Sequence, residues 1–245
     1  MKTRNSFYTL LPALFTVLAS SCYFDIDGDS MGPSIKGSGN IVVEERAITD
    51  FDRIVVEGAI DVILMQDDEH LLEVEADDNI LPFISSSVSG GELRVRSTRS
   101  YRSRDDVKVY ITVRDLEALE VRGSGDVRGE SVIAGDELDL EIDGSGSMDM
   151  EVYFDHLYAE VNGSGSFRMS GEVPEQRISI NGSGDYRAAD LLSSDADITI
   201  TGSGNGTVNV REFLKAEIRG SGDVVYYGDP EVNSSIHGSG KLIRR

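Results

Sequence analysis

Three sets of residues in this sequence have types and spacings that could do chemistry. The first is a recurring acidic and amide position. Asn40, Asp61, Asp126, Ser147, Ser166, Asp185, Asn205, Asp223 and Lys241 each stand three places after the first glycine of a Gly-Ser-Gly, or of its degenerate copy Gly58, Ala59, Ile60. If those copies stack as strands about 4.8 Å apart, Asp185 and Asp223, with Asn205 between them, hold two carboxylates roughly 9.6 Å apart. That is near the upper limit of the roughly 6.5–9.5 Å used by an inverting glycosidase. Against catalysis, a general acid needs burial to raise its pKa, and aspartates on a turn edge are wetted. The plainer reading is that Asp and Asn cap the turns. Calcium wants six to eight oxygens, and this column includes Lys241, so no metal is assigned to it.

The second set is basic. Arg94, Arg96, Arg99, Arg102 and Arg104 lie within eleven residues, with Tyr101 among them. Arg94 and Arg96 flank Val95 and should point outward, and the rest occupy a polar loop. Guanidinium groups beside a tyrosine suit carboxylate, sulfate or phosphate groups on a glycan or a protein. The alternative is a solvated loop paired with Asp105 and Asp106. The third is Cys22, the only cysteine in the chain. It excludes an internal disulfide, and it follows a run that reads as an export signal. Lys2 and Arg4 precede the apolar stretch from Phe7 to Leu18, then Ala19, Ser20 and Ser21. That pattern predicts a signal peptide over residues 1–21, with Cys22 as the lipid attachment site. Leu18 stands four rather than three places before the cysteine, a loose match to a lipobox. His70, His156 and His237 fall in different units without ligand spacing, so no zinc site and no cofactor are implied.

These residues are positioned by a repeat. Gly-Ser-Gly begins at Gly37, Gly123, Gly144, Gly163, Gly182, Gly202, Gly220 and Gly238, and from Gly123 the intervals are 21, 19, 19, 20, 18 and 18 residues. So regular a period marks stacked units. Two places before the first glycine stand Ile35, Val56, Val121, Ile142, Val161, Ile180, Ile200, Ile218 and Ile236, all β-branched. Four places after it come Ile41, Val62, Val127, Met148, Phe167, Tyr186, Gly206, Val224 and Leu242, apolar or aromatic in all but one. Apolar residues alternate around both anchors, the period of a strand covered on one side. A unit is therefore a strand, a glycine corner, a second strand and a return. Such a unit cannot enclose a core alone, but stacked copies can. The expected fold is an all-β, right-handed parallel β-helix with rungs of about 19 residues. Asn162 and Asn181 share one slot in adjacent units, which predicts a short amide ladder.

The chain has 245 residues, no Trp, 26 Gly, 5 Pro and 44 acidic against 23 basic side chains. One elongated domain over residues 37–245 accounts for that length, with irregular rungs over 37–122 and regular ones over 123–245. Residues 22–36 read as a polar, lipid-anchored tether. In the irregular part, an antiparallel hairpin is the alternative to rungs with insertions, and Asn79 to Phe83 should form a short helical turn or a cap. Removal of Lys2 and Arg4 with the leader changes the formal net charge from −21 to −23. A chain so acidic argues against nucleic acid as a partner and rests any membrane attachment on lipid. The last unit ends seven residues after Gly238, which leaves a strand edge for Lys241, Arg244 and Arg245 to blunt, or for another copy to cover.

The segment Gly39 to Arg46, followed by Phe51, Ile54 and the run Glu57, Gly58, Ala59, Ile60, Asp61, Val62, together with Gly-Ser-Gly-Asp-Val at Gly123 and Gly220, resembles the GIN domain. That is the head domain of autotransporter-type adhesins, common among Bacteroidota lipoproteins. The naming Gly-Ile-Asn-like motif is changed here to Gly58, Ala59, Ile60, Asp61. The resemblance covers about residues 37–245 and implies a right-handed parallel β-helix, export to the cell surface and adhesion, and it brings no catalytic residues. The expected protein is therefore a noncatalytic, outer-membrane surface lipoprotein that presents a β-helix flank to a glycan or protein ligand. Two alternatives remain open: a polysaccharide hydrolase or lyase on the same scaffold, and an envelope scaffold that self-associates through its terminal rung.

Overall fold

The structure, a computed structural model, describes residues 33–245, so the expected leader, Cys22 and most of the tether lie outside the described residues. The strands in chain order are β1 (Ile35–Lys36), β2 (Ile41–Glu45), β3 (Arg53–Gly58), β4 (Ile60–Gln66), β5 (Leu71–Asp77), β6 (Ile84–Ser89) and β7 (Glu92–Ser97). They continue with β8 (Tyr101–Arg102), β9 (Val107–Val113), β10 (Ala118–Gly123), β11 (Val127–Gly129), β12 (Ile133–Gly144) and β13 (Ser147–Gly163). The last are β14 (Ser166–Glu172), β15 (Glu175–Gly182), β16 (Asp185–Gly202), β17 (Asn205–Gly220), β18 (Val224–Tyr227), β19 (Glu231–Gly238) and β20 (Leu242–Arg244). Together they build an all-β solenoid of about seven turns with rungs of about 19 residues.

The glycine corners lie over one another. Gly58, Gly123, Gly144, Gly163, Gly182, Gly202, Gly220 and Gly238 are successive register partners in parallel ladders. Gly144 shows why the residue type is fixed. Its φ is +142°, and a Cβ there would stand 2.1 Å from the carbonyl oxygen of Gly123. That oxygen accepts from the N–H of Ser145 (2.8 Å) and of Gly146 (3.2 Å), so the corner itself is the hydrogen-bonded contact between rungs. Positive φ without a Cβ clash, and close backbone approach, are what glycine uniquely supplies.

Because the corners are in register, the branched residues before them form one spine, with Val95, Val56, Val121, Ile142, Val161, Ile180, Ile200 and Ile218 all buried. The strands after the corner form a second buried column of Val109, Val62, Val127, Met148, Phe167, Tyr186, Gly206 and Val224. Gly206, the one exception to the apolar pattern, is explained by its neighbour: a Cβ there would meet Ile198 Cδ1 at 2.2 Å. Tyr186 is tolerated in this core because its hydroxyl donates to Gln176 Oε1 (2.8 Å). Gln176 Nε2 in turn donates to Ser193 Oγ (2.6 Å), and Ser193 to the Asn209 carbonyl (3.1 Å). A buried polar chain so completed avoids the cost of an unpaired group.

Two features depart from the sequence reading. The return between rungs is a kink rather than a loop: β13, β16 and β17 each run through it as strands of 17, 18 and 16 residues. The difference between the 20- and 18-residue periods is absorbed at two register shifts, between Ala188 and Leu192 and between Ser193 and Asp195. The irregular half also has its rungs out of chain order. β3 lies between β7 and β10, and β4 between β9 and β11, so the rung of 92–113 sits outside that of 53–66. Beyond it, β5 pairs antiparallel with β9, β2 antiparallel with β5, and β6 antiparallel with β7. Inserted rungs and antiparallel pairing, weighed as alternatives, are both present. The expected short helical turn is a 3₁₀ turn at Leu81–Phe83.

The Gly37 copy is not in the column. Its place for a Cβ is taken by the Asp77 carboxylate, so Ile35, Asn40 and Ile41 leave the three columns to which spacing assigned them. Instead the Ser38 to Asn40 loop grips residues 77–79. Ser38 N donates to Asn79 Oδ1 (3.0 Å), Ser38 Oγ to Asp78 Oδ1 (2.6 Å) and Asn40 Nδ2 to Asp78 Oδ2 (3.0 Å). These two side-chain bonds hold the Asp78 carboxyl below its ordinary pKa.

Candidate functional site

The acidic column forms two runs of a ladder along the corner edge, separated at Ser147 and Ser166, where backbone bonds alone link the corners. Asp61 Oδ1 accepts from Asp126 N (3.0 Å), and Asp126 Oδ1 from Ser147 N (2.9 Å) and Oγ (2.8 Å). Asp185 Oδ1 accepts from Asn205 N (3.1 Å) and Nδ2 (3.0 Å), Asn205 Oδ1 from Asp223 N (3.1 Å), and Asp223 Oδ1 from Lys241 N (2.8 Å). The structure therefore brings Asp185, Asn205 and Asp223 together as cross-rung caps, each with one oxygen engaged by the next corner. Burial raises the pKa of Asp61 within this column.

The basic segment is divided. Arg94 is held by Glu57 and by Glu92 (2.8 Å), which raise its pKa. Arg99 donates to the Pro33 carbonyl (3.2 Å) and lies 5.1 Å from the Phe83 ring centre, a cation–π contact. Tyr101 packs against the core and donates to the Ala59 carbonyl (2.6 Å); burial pushes its phenol up to about 12. Arg96, Arg102 and Arg104 are exposed. Asp105 and Asp106, the expected partners, form no ion pair with any of these arginines. Tyr186 is completely buried, so its ring is closed to any ligand.

A third arrangement was not visible from spacing. On the outer face of the strands before the corner, Ala118, Asp139, Tyr158, Arg177, Asp197 and Lys215 are successive register partners. Two places earlier run Glu137, His156, Glu175, Asp195 and Phe213. Between Tyr158 and Phe213 these two rows line a groove of about 450 Å³. Arg177 lies 5.5 Å from the Tyr158 ring centre, Lys215 bridges Asp197 (2.8 Å), and His156 Nδ1 is 3.3 Å from Glu175 Oε2. Phe213 is 36% exposed. Among the described residues Arg177 has no carboxylate partner, and it lines the groove. A second hollow of about 810 Å³ abuts it, lined by Asp52, Arg53, Arg114, Glu117, Glu137 and Asp139. Glu137 and Asp139 are register partners of His156 and Tyr158, so the second hollow lies beside the groove, which forms a trough on the flank. Aromatic faces, a guanidinium and paired carboxylates on rigid strands can stack on and hydrogen-bond a hydroxyl-rich or charged chain.

On the same face, Glu120, Glu141 and Asp143 offer oxygens within 4.8 Å of one another, the one such cluster among the described residues. Arg122 binds Glu120 (2.8 Å), and Asn162 Nδ2 donates to Asp143 (2.9 Å) and Glu141 (3.3 Å), so protein donors already serve it. Burial, then Asp143 and the neighbouring Glu120 and Glu160, raises the Glu141 pKa; burial, then Glu137, raises that of Asp139. Asn181 Nδ2 donates to Asn162 Oδ1 (3.0 Å), the predicted amide ladder.

A family model described as "Putative auto-transporter adhesin, head GIN domain" matches residues 50–230. Among solved structures, a "putative adhesin" from Bacteroides fragilis is 24% identical and superposes with a TM-score of 0.82, over 86% of this chain and 100% of its own. A "putative lipid binding protein" from Parabacteroides distasonis is 26% identical with a TM-score of 0.71, over 87% and 100%. A "putative adhesin" from Parabacteroides merdae is 23% identical with a TM-score of 0.70, again over 87% and 100%. No curated protein matches the chain.

Proposed function

The chain belongs to the GIN-domain family of adhesin heads, and from that premise we propose that it is an exported, noncatalytic binding module. In this reading Cys22 carries the lipid that holds it at the outer membrane, and the solenoid flank takes a surface glycan. The observation that carries the proposal is the trough with Tyr158 under Arg177 at one end and exposed Phe213 at the other. The platform is rigid because parallel ladders fix each strand, so binding a chain there requires little ordering of the protein. Arg96 on β7, with Arg102 on β8 and Arg104 in the segment after it, supplies a second contact for acidic groups on the ligand.

The test is a glycan array followed by titration, with residues 23–245 as the soluble form. A binding glycan should lose about tenfold in affinity, or about 1.4 kcal/mol, with Tyr158→Ala or Arg177→Ala. Reducing-end release should stay at background with the same glycan. Turnover abolished by Asp223→Ala would replace adhesion with hydrolysis, and binding indifferent to both groove substitutions would remove the trough.

A further inference from the structure

The ion pairs inside the groove decide which groups of a ligand it can take. Lys215 holds Asp197 (2.8 Å), and His156 Nδ1 lies 3.3 Å from Glu175 Oε2. Two charged side chains that line the groove, Arg177 and Asp195, are left without an ion-pair partner among the described residues. They stand on adjacent strands two places out of register, since Arg177 pairs with Asp197 and Asp195 with Glu175. Strand spacing and rise then put their backbones about 8 Å apart on a diagonal. Tyr158 steadies the first of them. Arg177 Cζ is 5.5 Å from its ring centre, so a ligand finds the guanidinium already partly ordered.

Resting on the reading of the trough as a glycan site, we propose that its ligand carries an isolated uronic acid, whose carboxylate binds Arg177 and whose ring hydroxyls donate to Asp195. A ligand that lies across Arg177 strips water from the guanidinium and must return an acceptor. A carboxylate meets that planar fork with two parallel bonds, and a uronic acid bears hydroxyls on the same ring for the free acceptor across the diagonal. The groove takes one such anion and no more. Glu175, Asp195 and Asp197 line it against Arg177 and Lys215. Beyond its ends, Glu137 and Asp139 are register partners of His156 and Tyr158, and Glu231 is that of Phe213. A carboxylate on the next sugar would face these acids in a chain of net charge −21, and like charges brought together cost affinity. Neutral sugars on either side offer hydroxyl donors to the same carboxylates, and one of them can stack on exposed Phe213.

The test is an array of neutral, uronate-containing and sulfated glycans, probed with residues 23–245, which hold every described strand and the whole buried core. Glycans that Tyr158→Ala removes from the array mark the trough, with Phe213→Ala in its place should that variant melt early. They should carry a uronate between neutral sugars. Carboxyl reduction of such a glycan, which turns the uronate into the neutral hexose, should weaken its binding about tenfold. Arg177→Gln, at an exposed position, should weaken the uronate form by about the same factor and bring the two forms level. Oligogalacturonate, a run of uronates, should bind at least about tenfold more weakly than the single uronate, and Asp195→Asn should narrow that gap. Trough glycans that are neutral or sulfated overturn the inference and leave the glycan reading in place. So does a uronate whose reduction changes nothing, or oligogalacturonate bound as tightly as the single uronate. An array with no glycan that depends on Tyr158 or Phe213 removes the glycan reading itself, and the inference falls with it.

Discussion

At the scale of single residues the corner decides the fold, and its two residue types have different duties. At Gly182, φ is +134° and a Cβ would stand 2.3 Å from the Gly163 carbonyl oxygen, which also accepts from Ser183 N at 2.8 Å. Gly182→Ala must therefore strain the backbone and push adjacent rungs apart, costing about 2–3 kcal/mol. Ser183→Ala keeps the backbone bond and should stay within about 0.5 kcal/mol of wild type. Thermal melts of the two variants by circular dichroism check this, and equal losses would contradict it. The same contrast explains what the sequence disclosed. A glycine demanded by torsion and by closeness leaves an unmistakable letter, which is why eight corners were legible in register. The tripeptide at Gly37 turns differently, with its positive φ at Gly39 (+83°) rather than at the first glycine, and it faces Asp77, Asp78 and Asn79 instead of another corner. Three letters specify a turn and not its neighbour.

At the scale of strands, inward and outward faces were unequally readable. Inward residues repeat because each must fill the same column, so Val121, Ile142, Val161 and Ile180 announced themselves. The trough is built from outward residues of several rungs, Tyr158, Arg177, Asp197 and Lys215, which share no chemistry and become a group only once the ladders fix their register. The available hint was aromatic residues out of phase, Tyr158 and Phe213 at polar positions. The outward column Glu120, Glu141, Glu160 shows the converse, like charges aligned on adjacent strands at an energetic cost. Burial and these neighbours raise the Glu141 pKa above its unfolded value. Its protonated form therefore favours the fold, and its contribution falls as pH rises through the carboxylate range. Glu141→Gln, which keeps an acceptor for Asn162, should melt higher than wild type at pH 7 by the equivalent of about 0.5 kcal/mol. The gain should shrink toward pH 4, and a gap independent of pH would mean that repulsion is not its source.

At the scale of the whole molecule the solenoid is close to one-dimensional, so stability belongs to neighbouring pairs of rungs rather than to a common core. Its ends are not equivalent. The N-terminal end is finished by strands that turn antiparallel, with β2, β5 and β6 lying over the rung of β7 and β9, and by Tyr101, which is anchored on the Ala59 carbonyl. The C-terminal end has no such strands among the described residues, and all eight residues of β19 are exposed. Opening the last rung breaks one interface, whereas opening an interior rung breaks two. Amide hydrogen exchange should accordingly show the strongest protection in Ile133–Gly220 and the weakest in Val224–Arg244, with β3 and β4 closer to the interior value than to the C-terminal one. Uniform protection along the chain would mean that the rungs open together, and the nearest-neighbour account of this fold would then fail.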